Sequence, residues 1–172
     1  MFILQSDGRT LEGFTAYREY VETNADRFPV GALHLAQTDW YYASYDPRGP
    51  HDSRLESMSM TERTGPGKPH WHNRLVSLEL TLRGAYDDGY IKLRYPTVHS
   101  YTLDGFAAGT GHSDWRYDEL RLNEAGHLVH EIEWWFMNAT ARWLITADDI
   151  ELSWQPDEGE LESITPHQVP QA

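Results

Sequence analysis

Leu75-Val76-Ser77-Leu78-Glu79-Leu80-Thr81-Leu82 is the stretch that decides the fold. Val76, Leu78, Leu80 and Leu82 fall on one side of an extended chain, and Ser77, Glu79 and Thr81 fall on the other. This period of two is the signature of a half-buried β-strand. Asp87-Asp88-Gly89 supplies a hairpin signal after it, and Tyr90–Tyr95 and Val98–Leu103 follow as strands with Pro96 between them. Upstream, residues 53–60 alternate as a strand with a Met-bearing face. Downstream, Tyr117–Leu122, Leu128–Phe136, Ala141–Thr146 and Ile150–Trp154 read as short strands joined by turns. Asn123-Glu124-Ala125-Gly126 is a tight connection.

The N-terminal third has a different period. Leu11, Phe14, Tyr17, Tyr20 and Val21 recur near 3.6 spacing, which predicts a helix over 11–27 with Thr10 as its cap and Pro29 marking its end. Val30–Gln37 reads as a second short helix, and Trp40–Ala43 as a short extended piece. Asp46-Pro47-Arg48-Gly49-Pro50 is a loop. The expected fold is therefore α+β: one or two helices followed by a mainly antiparallel meander of about seven to eight strands. The whole of 1–172 forms one domain in this reading, with 1–50 helical, 51–155 the sheet and 156–172 a poorly packed acidic tail.

The chain has 172 residues, enough for a core without staples. It has no cysteine, so disulfides and cysteine-ligated zinc are excluded. No apolar stretch approaches the roughly 20 residues of a membrane helix. Met1–Asp7 lacks the basic and apolar regions of a signal peptide, so the cytoplasm is the expected compartment. Lys and Arg number 14 against 27 acidic residues, a net charge of −13. That charge excludes nucleic acid as a direct ligand, because phosphate contacts need Lys and Arg. It favours solubility and, beyond that, basic protein partners.

Four segments concentrate His, Asp and Glu: 50–55, 84–90, 111–119 and 130–134. Asp118 and Glu119 point to opposite faces of a strand, as do His130 and Glu131, so only one of each pair can join His112. A simple hairpin count about the Asn123–Gly126 turn sets Glu119 beside His130. His112, Asp114, Glu119 and His130 are thus the candidate acid–base residues, expected to lie together with His51. A buried polar strut is the preferred reading of the His–carboxylate pair, with a general base or metal half-site as alternatives. Metal-ligand candidates are His51, His112, His130 and the i, i+2 pair His70 and His72. No cofactor is expected, with a divalent metal as the alternative. His51-Asp52 is the pair that His-Asp phosphohydrolases use on helices; here it precedes a strand. No nucleophile elbow, P-loop, dinucleotide fingerprint or HExxH occurs.

His51-Asp52-x-x-Leu55, then Gly84-Ala85-Tyr86 with Tyr90-Ile91, Gly111-His112-x-Asp114 with Asp118-Glu119, and His130-Glu131-Ile132 occur in this order. The combination resembles a family of uncharacterised small bacterial proteins, over about Phe28 to Trp154. Asp88 departs from it, standing where a His often does. The resemblance implies a small α+β protein of the kind encoded near toxin genes, and so an inhibitor or immunity protein. The leading expectation is a non-enzymatic, acidic protein-binding module. A metal-dependent or acid–base hydrolase is the second, and a structural module of a larger assembly the third. Asp157, Glu158, Glu160 and Glu162 form a negative edge that either blunts strand-to-strand aggregation or docks a basic protein, and Trp134 and Trp135 are read as core residues or, as the alternative, aromatic contacts.

Overall fold

In a computed structural model of the chain, the described residues are 11–67, 73–106, 109, 111–157 and 162–164. Among the described residues, helices α1 (Leu11–Thr23) and α2 (Val30–Gln37) precede eight strands. These are β1 (Arg54–Thr64), β2 (Arg74–Arg83), β3 (Gly89–Leu103) and β4 (Asp114–Leu122). β5 (Leu128–Phe136), β6 (Ala139–Ala147), β7 (Glu151–Pro156) and β8 (Glu162–Ile164) follow. The α+β class and the antiparallel sheet are as the sequence predicts.

The sheet is built from two successive meanders, β1–β2–β3 and β4–β5–β6. Pairing of β3 with β6 joins them, and a single residue pair, Arg54 with Asp114, links β1 back to β4. The pairings therefore form a ring whose last link is short. β6 and β7 lie end to end along one edge of β3 in one register, with Val98 opposite Ala147 and Arg94 opposite Glu151. Continuing that register puts Asp149 opposite Pro96. A proline has no N–H to give to a ladder, so the strand opens at that point.

The opening has a use. Asp149 Oδ2 and Oδ1 accept the backbone N–H groups of Gly31 and Ala32 at 3.0 and 2.9 Å. These belong to the first turn of α2, whose N-cap residue, Pro29, makes no side-chain cap bond. A strand joint distant in sequence thus satisfies orphan helix donors. Gly31 must be glycine, because a Cβ there would overlap the Ile150 carbonyl oxygen. Gly89 is similarly constrained, with the Trp154 ring 2.6 Å from where a Cβ would stand.

The core lies between the helices and the concave side of the sheet. Tyr17, Val21 and Leu35 come from the helices, and Leu78, Leu80, Leu82, Ile91 and Leu93 from the first meander. Trp115, Leu120, Ile132, Trp134, Trp143 and Ile145 come from the second. All the sequence's alternating strands occur, most within two residues of their expected ends.

Three local expectations are corrected. The first helix stops at Thr23, and Ala25–Arg27 form a separate 3-10 turn. Trp40–Ala43 is not extended; Asp39–Tyr42 form another 3-10 turn, which brings Tyr41 and Tyr42 together at a ring distance of 4.9 Å. Tyr90–Tyr95 and Val98–Leu103 are one strand, β3, bulged between Val98 and Ser100. In the expected tail, Pro156 ends β7, Asp157 bonds Arg83, and Glu162–Ile164 pair with β7.

Asp149→Ala is expected to cost about 1 kcal/mol, as loss of a helix cap does. That is about 2–4 °C in thermal midpoint for a chain of this size. Gly31→Ala should cost more, because backbone must move. Unchanged midpoints in both variants would remove the joint's role in holding α2.

Candidate functional site

Residues on β4 and β5 that face the core carry the polar centre. The observed register sets His130 opposite Leu120 and Glu131 opposite Glu119. That is one residue away from the hairpin count, and one residue reverses the face. His130 therefore meets Asp118, at 2.9 Å from Nε2 to Oδ2, and not Glu119. Asp118 Oδ2 also accepts the Tyr41 hydroxyl at 2.8 Å, and Oδ1 accepts the Trp115 indole N–H at 3.1 Å. His130 Nδ1 lies 2.7 Å from the Tyr95 hydroxyl. The pattern is satisfied when Nε2–H donates to Asp118 and Nδ1 accepts from Tyr95.

Beside this centre, Tyr17 straddles Leu120. Its hydroxyl donates to the Leu120 carbonyl at 3.0 Å and accepts the Leu120 N–H at 3.1 Å. Tyr42 donates to the Tyr17 oxygen at 3.0 Å. Burial is the main cause that pushes the Tyr17, Tyr41, Tyr42 and Tyr95 phenols up, and the Asp118 charge adds to it. All four stay protonated donors at neutral pH.

Asp118 is 5 % exposed and His130 is fully buried. Both ring nitrogens of His130 and both oxygens of Asp118 are engaged. The arrangement matches the buried strut, with its hydrogen-bonding capacity turned inward. A cavity of about 340 Å³ opens beside it, lined by Phe14, Tyr41, Tyr42, His51, Trp115 and Asp118 among others.

The remaining sequence candidates separate. His51 lines that cavity, with Nδ1 3.1 Å from Asp52 Oδ2. His112 packs against Trp134 and Trp143, at ring distances of 5.7 and 4.8 Å, and burial lowers its pKa. Asp114 sits in the short β1–β4 link. Glu119 is corrected to the convex face, where its Oε1 lies 2.8 Å from Arg121 Nε. There it belongs to a ladder in which Arg121 also meets Glu131, Arg142 meets Glu131 and Glu133, and Arg116 meets Glu133. His51, His112, Asp114, Glu119 and His130 therefore do not make one site. His70 and His72 lie outside the described residues.

The surface candidates also divide. Trp134 is fully buried and so belongs to the core, which removes it as a contact candidate. Trp135 is 40 % exposed, with the Arg116 guanidinium 6.0 Å from its ring. Asp157 is bound by both terminal nitrogens of Arg83, at 2.6 and 2.7 Å, which holds its carboxyl below the ordinary range. Asp148, Asp149 and Glu151 are likewise engaged, by His99, the α2 amides and Arg94. Asp157 of the expected negative edge is thus paired, as are the neighbouring acids Asp148, Asp149 and Glu151. Glu158 and Glu160 lie outside the described residues, and Glu162 stands in β8.

Two features were missed in the sequence. His99, His127 and Asp148 come together with one donor atom each, all within 4.8 Å of one another. They stand singly in three distant segments, so no spacing could flag them. The second is β1, exposed at every position except Leu55, which is half-buried. Met58 and Met60 share a face with the buried Leu80 and Leu78 opposite them, yet are 43 % and 41 % exposed. Their period was legible; their lack of cover was not.

No family model, no curated protein and no solved structure matches this chain.

The four raised phenols define a pH response. Their folded pKa values lie above the unfolded value of about 10, so the stability they contribute is intact below about pH 10 and lost as pH rises toward the folded values. Phenolate absorbance should then show these four tyrosines ionising only with cooperative unfolding. Smooth ionisation of these four with the fold intact would contradict the burial argument.

Proposed function

We propose that this chain is a non-enzymatic protein-binding module that uses β1 as its docking edge. The observation that carries this reading is the exposure of the 11-residue strand β1 at every position but Leu55. Among the described residues, only Arg54 of β1 pairs on the side away from β2. A long strand with one free edge is a template for another chain, and natural proteins seldom leave such an edge uncovered. Met58 and Met60 supply adaptable apolar contact on the same strand. An extended segment of a partner would add main-chain hydrogen bonds at the edge and set its apolar side chains against the two methionines.

The net charge of −13 favours a basic partner and a fast, salt-sensitive encounter. The convex face adds Trp135 at the rim, where an exposed tryptophan suits a protein contact. Inhibition or neutralisation of a basic toxin fits this chemistry, and it is the setting that the sequence resemblance implies. The enclosed His130–Asp118 pair supports the same reading, since its groups are committed to internal bonds.

The test is capture of a basic partner from host extract by the full chain, compared with a Met58→Lys, Met60→Lys variant. The wild type should retain one partner at low salt and lose much of it at physiological salt. The variant should lose it at both, with an unchanged circular dichroism spectrum. Capture of the same partner by the variant would move the docking surface elsewhere. A dimer of the chain itself, abolished by the variant, would assign the edge to self-association instead.

A further inference from the structure

We propose that His99, His127 and Asp148 bind one divalent cation of the zinc class on the convex face of the sheet. The three residues come from the bulge in β3, the turn before β5 and the joint between β6 and β7. Each is one residue from the row Val98–Ala147–Leu128, whose members pair across three adjacent strands. That row is buried, and neighbours along an extended chain turn to the other side. His99 and Asp148 are accordingly exposed and His127 half-buried.

Their backbone is fixed. Asp148 N–H donates to the Thr97 carbonyl at 2.9 Å. His127 N–H donates to Asn123 Oδ1 at 2.9 Å, and Asn123 N–H returns to the His127 carbonyl at 3.0 Å. The bulge gives His99 its position, and bulges commonly re-aim a side chain toward a site.

The side chains are close to a coordination sphere. His99 Nε2 lies 2.6 Å from Asp148 Oδ1, and the His99 and His127 rings stack at 4.0 Å and 17°. Tetrahedral bonds of about 2.0–2.1 Å set ligand atoms about 3.3 Å apart. A cation therefore has to open the His99–Asp148 contact by under about 1 Å and tilt the rings out of their stack. Side-chain rotation does this without moving the anchored backbone.

The donor set selects the metal. Two imidazole nitrogens favour zinc, cobalt, nickel or copper over magnesium and calcium, which take oxygen ligands. Two His and one carboxylate leave a fourth position for water or a ligand from a partner. The chain's negative charge raises the local cation concentration. The site is separate from β1 and from the His130 centre, so it stands whether or not the docking role does.

The experiment is calorimetric titration of the full metal-free chain with zinc chloride. One equivalent should bind. His99→Ala, His127→Ala and Asp148→Asn should each weaken binding by more than about tenfold, since even outer partners of a metal site are worth that much. A His70→Ala, His72→Ala variant should bind as the wild type does. Ring-nitrogen resonances of His99 and His127 should shift together on the first equivalent, a readout that needs no variant to fold. Absence of saturable binding, full affinity in His127→Ala, loss in the His70→Ala, His72→Ala variant, or unshifted His99 and His127 resonances would each overturn the site.

Discussion

The Asp118 carboxylate is the constraint on which the rest of the structure depends. A charge this deeply buried is tolerated only when hydrogen bonds replace its water. Tyr41 brings one donor from the helical layer, Trp115 a second from its own strand, and His130 a third from the neighbouring strand. Each bond to a charged group is worth about 1.5–3 kcal/mol, and each donor left unmade costs similarly. The helical layer and the second meander are therefore tied at one point. Tyr95 extends the tie through His130 to the first meander. Tyr17 and Tyr20 repeat the device nearby, with hydroxyls that receive the Leu120 and Leu122 backbone amides.

The same network explains which parts of the chain remain free to work outward. Polar groups at the centre are occupied with one another, and the acids around β7 are occupied with Arg83, Arg94 and the start of α2. Among the described residues, β1 keeps an unpaired backbone edge and exposed apolar surface, and His99 and His127 stand together with Asp148 on the other side of the sheet from the core. The proposed recognition role rests on these peripheral features, and the buried centre holds the layers in register.

Much of the architecture was legible in alternation. Leu75–Leu82 and Leu128–Phe136 declare strands because their apolar residues keep a period of two. Pro96 reads as a break in one strand, but its effect falls on the neighbour: β3 continues, and the opposite strand opens at Asp149. The site was less legible because it hangs on register. His130 takes Asp118 or Glu119 according to a shift of one residue, and a turn count is accurate only to about that much. Tyr41 and Tyr95 were invisible as partners, since nothing local joins residues 41, 95, 118 and 130. His99, His127 and Asp148 fail to signal for the same reason. Their juxtaposition depends on the pairing of β3, β5 and β6, which sequence period alone does not specify.

A double-mutant cycle on Tyr41→Phe and His130→Leu tests the central claim most directly. The two side chains do not bond each other; both bond Asp118 Oδ2. If that carboxylate ties the layers together, losing either donor changes what the other is worth. The cycle should then show an interaction energy of about 1 kcal/mol or more in denaturant unfolding. Effects that add to within about 0.5 kcal/mol would contradict the account, because Tyr41 and His130 would then be holding the fold independently.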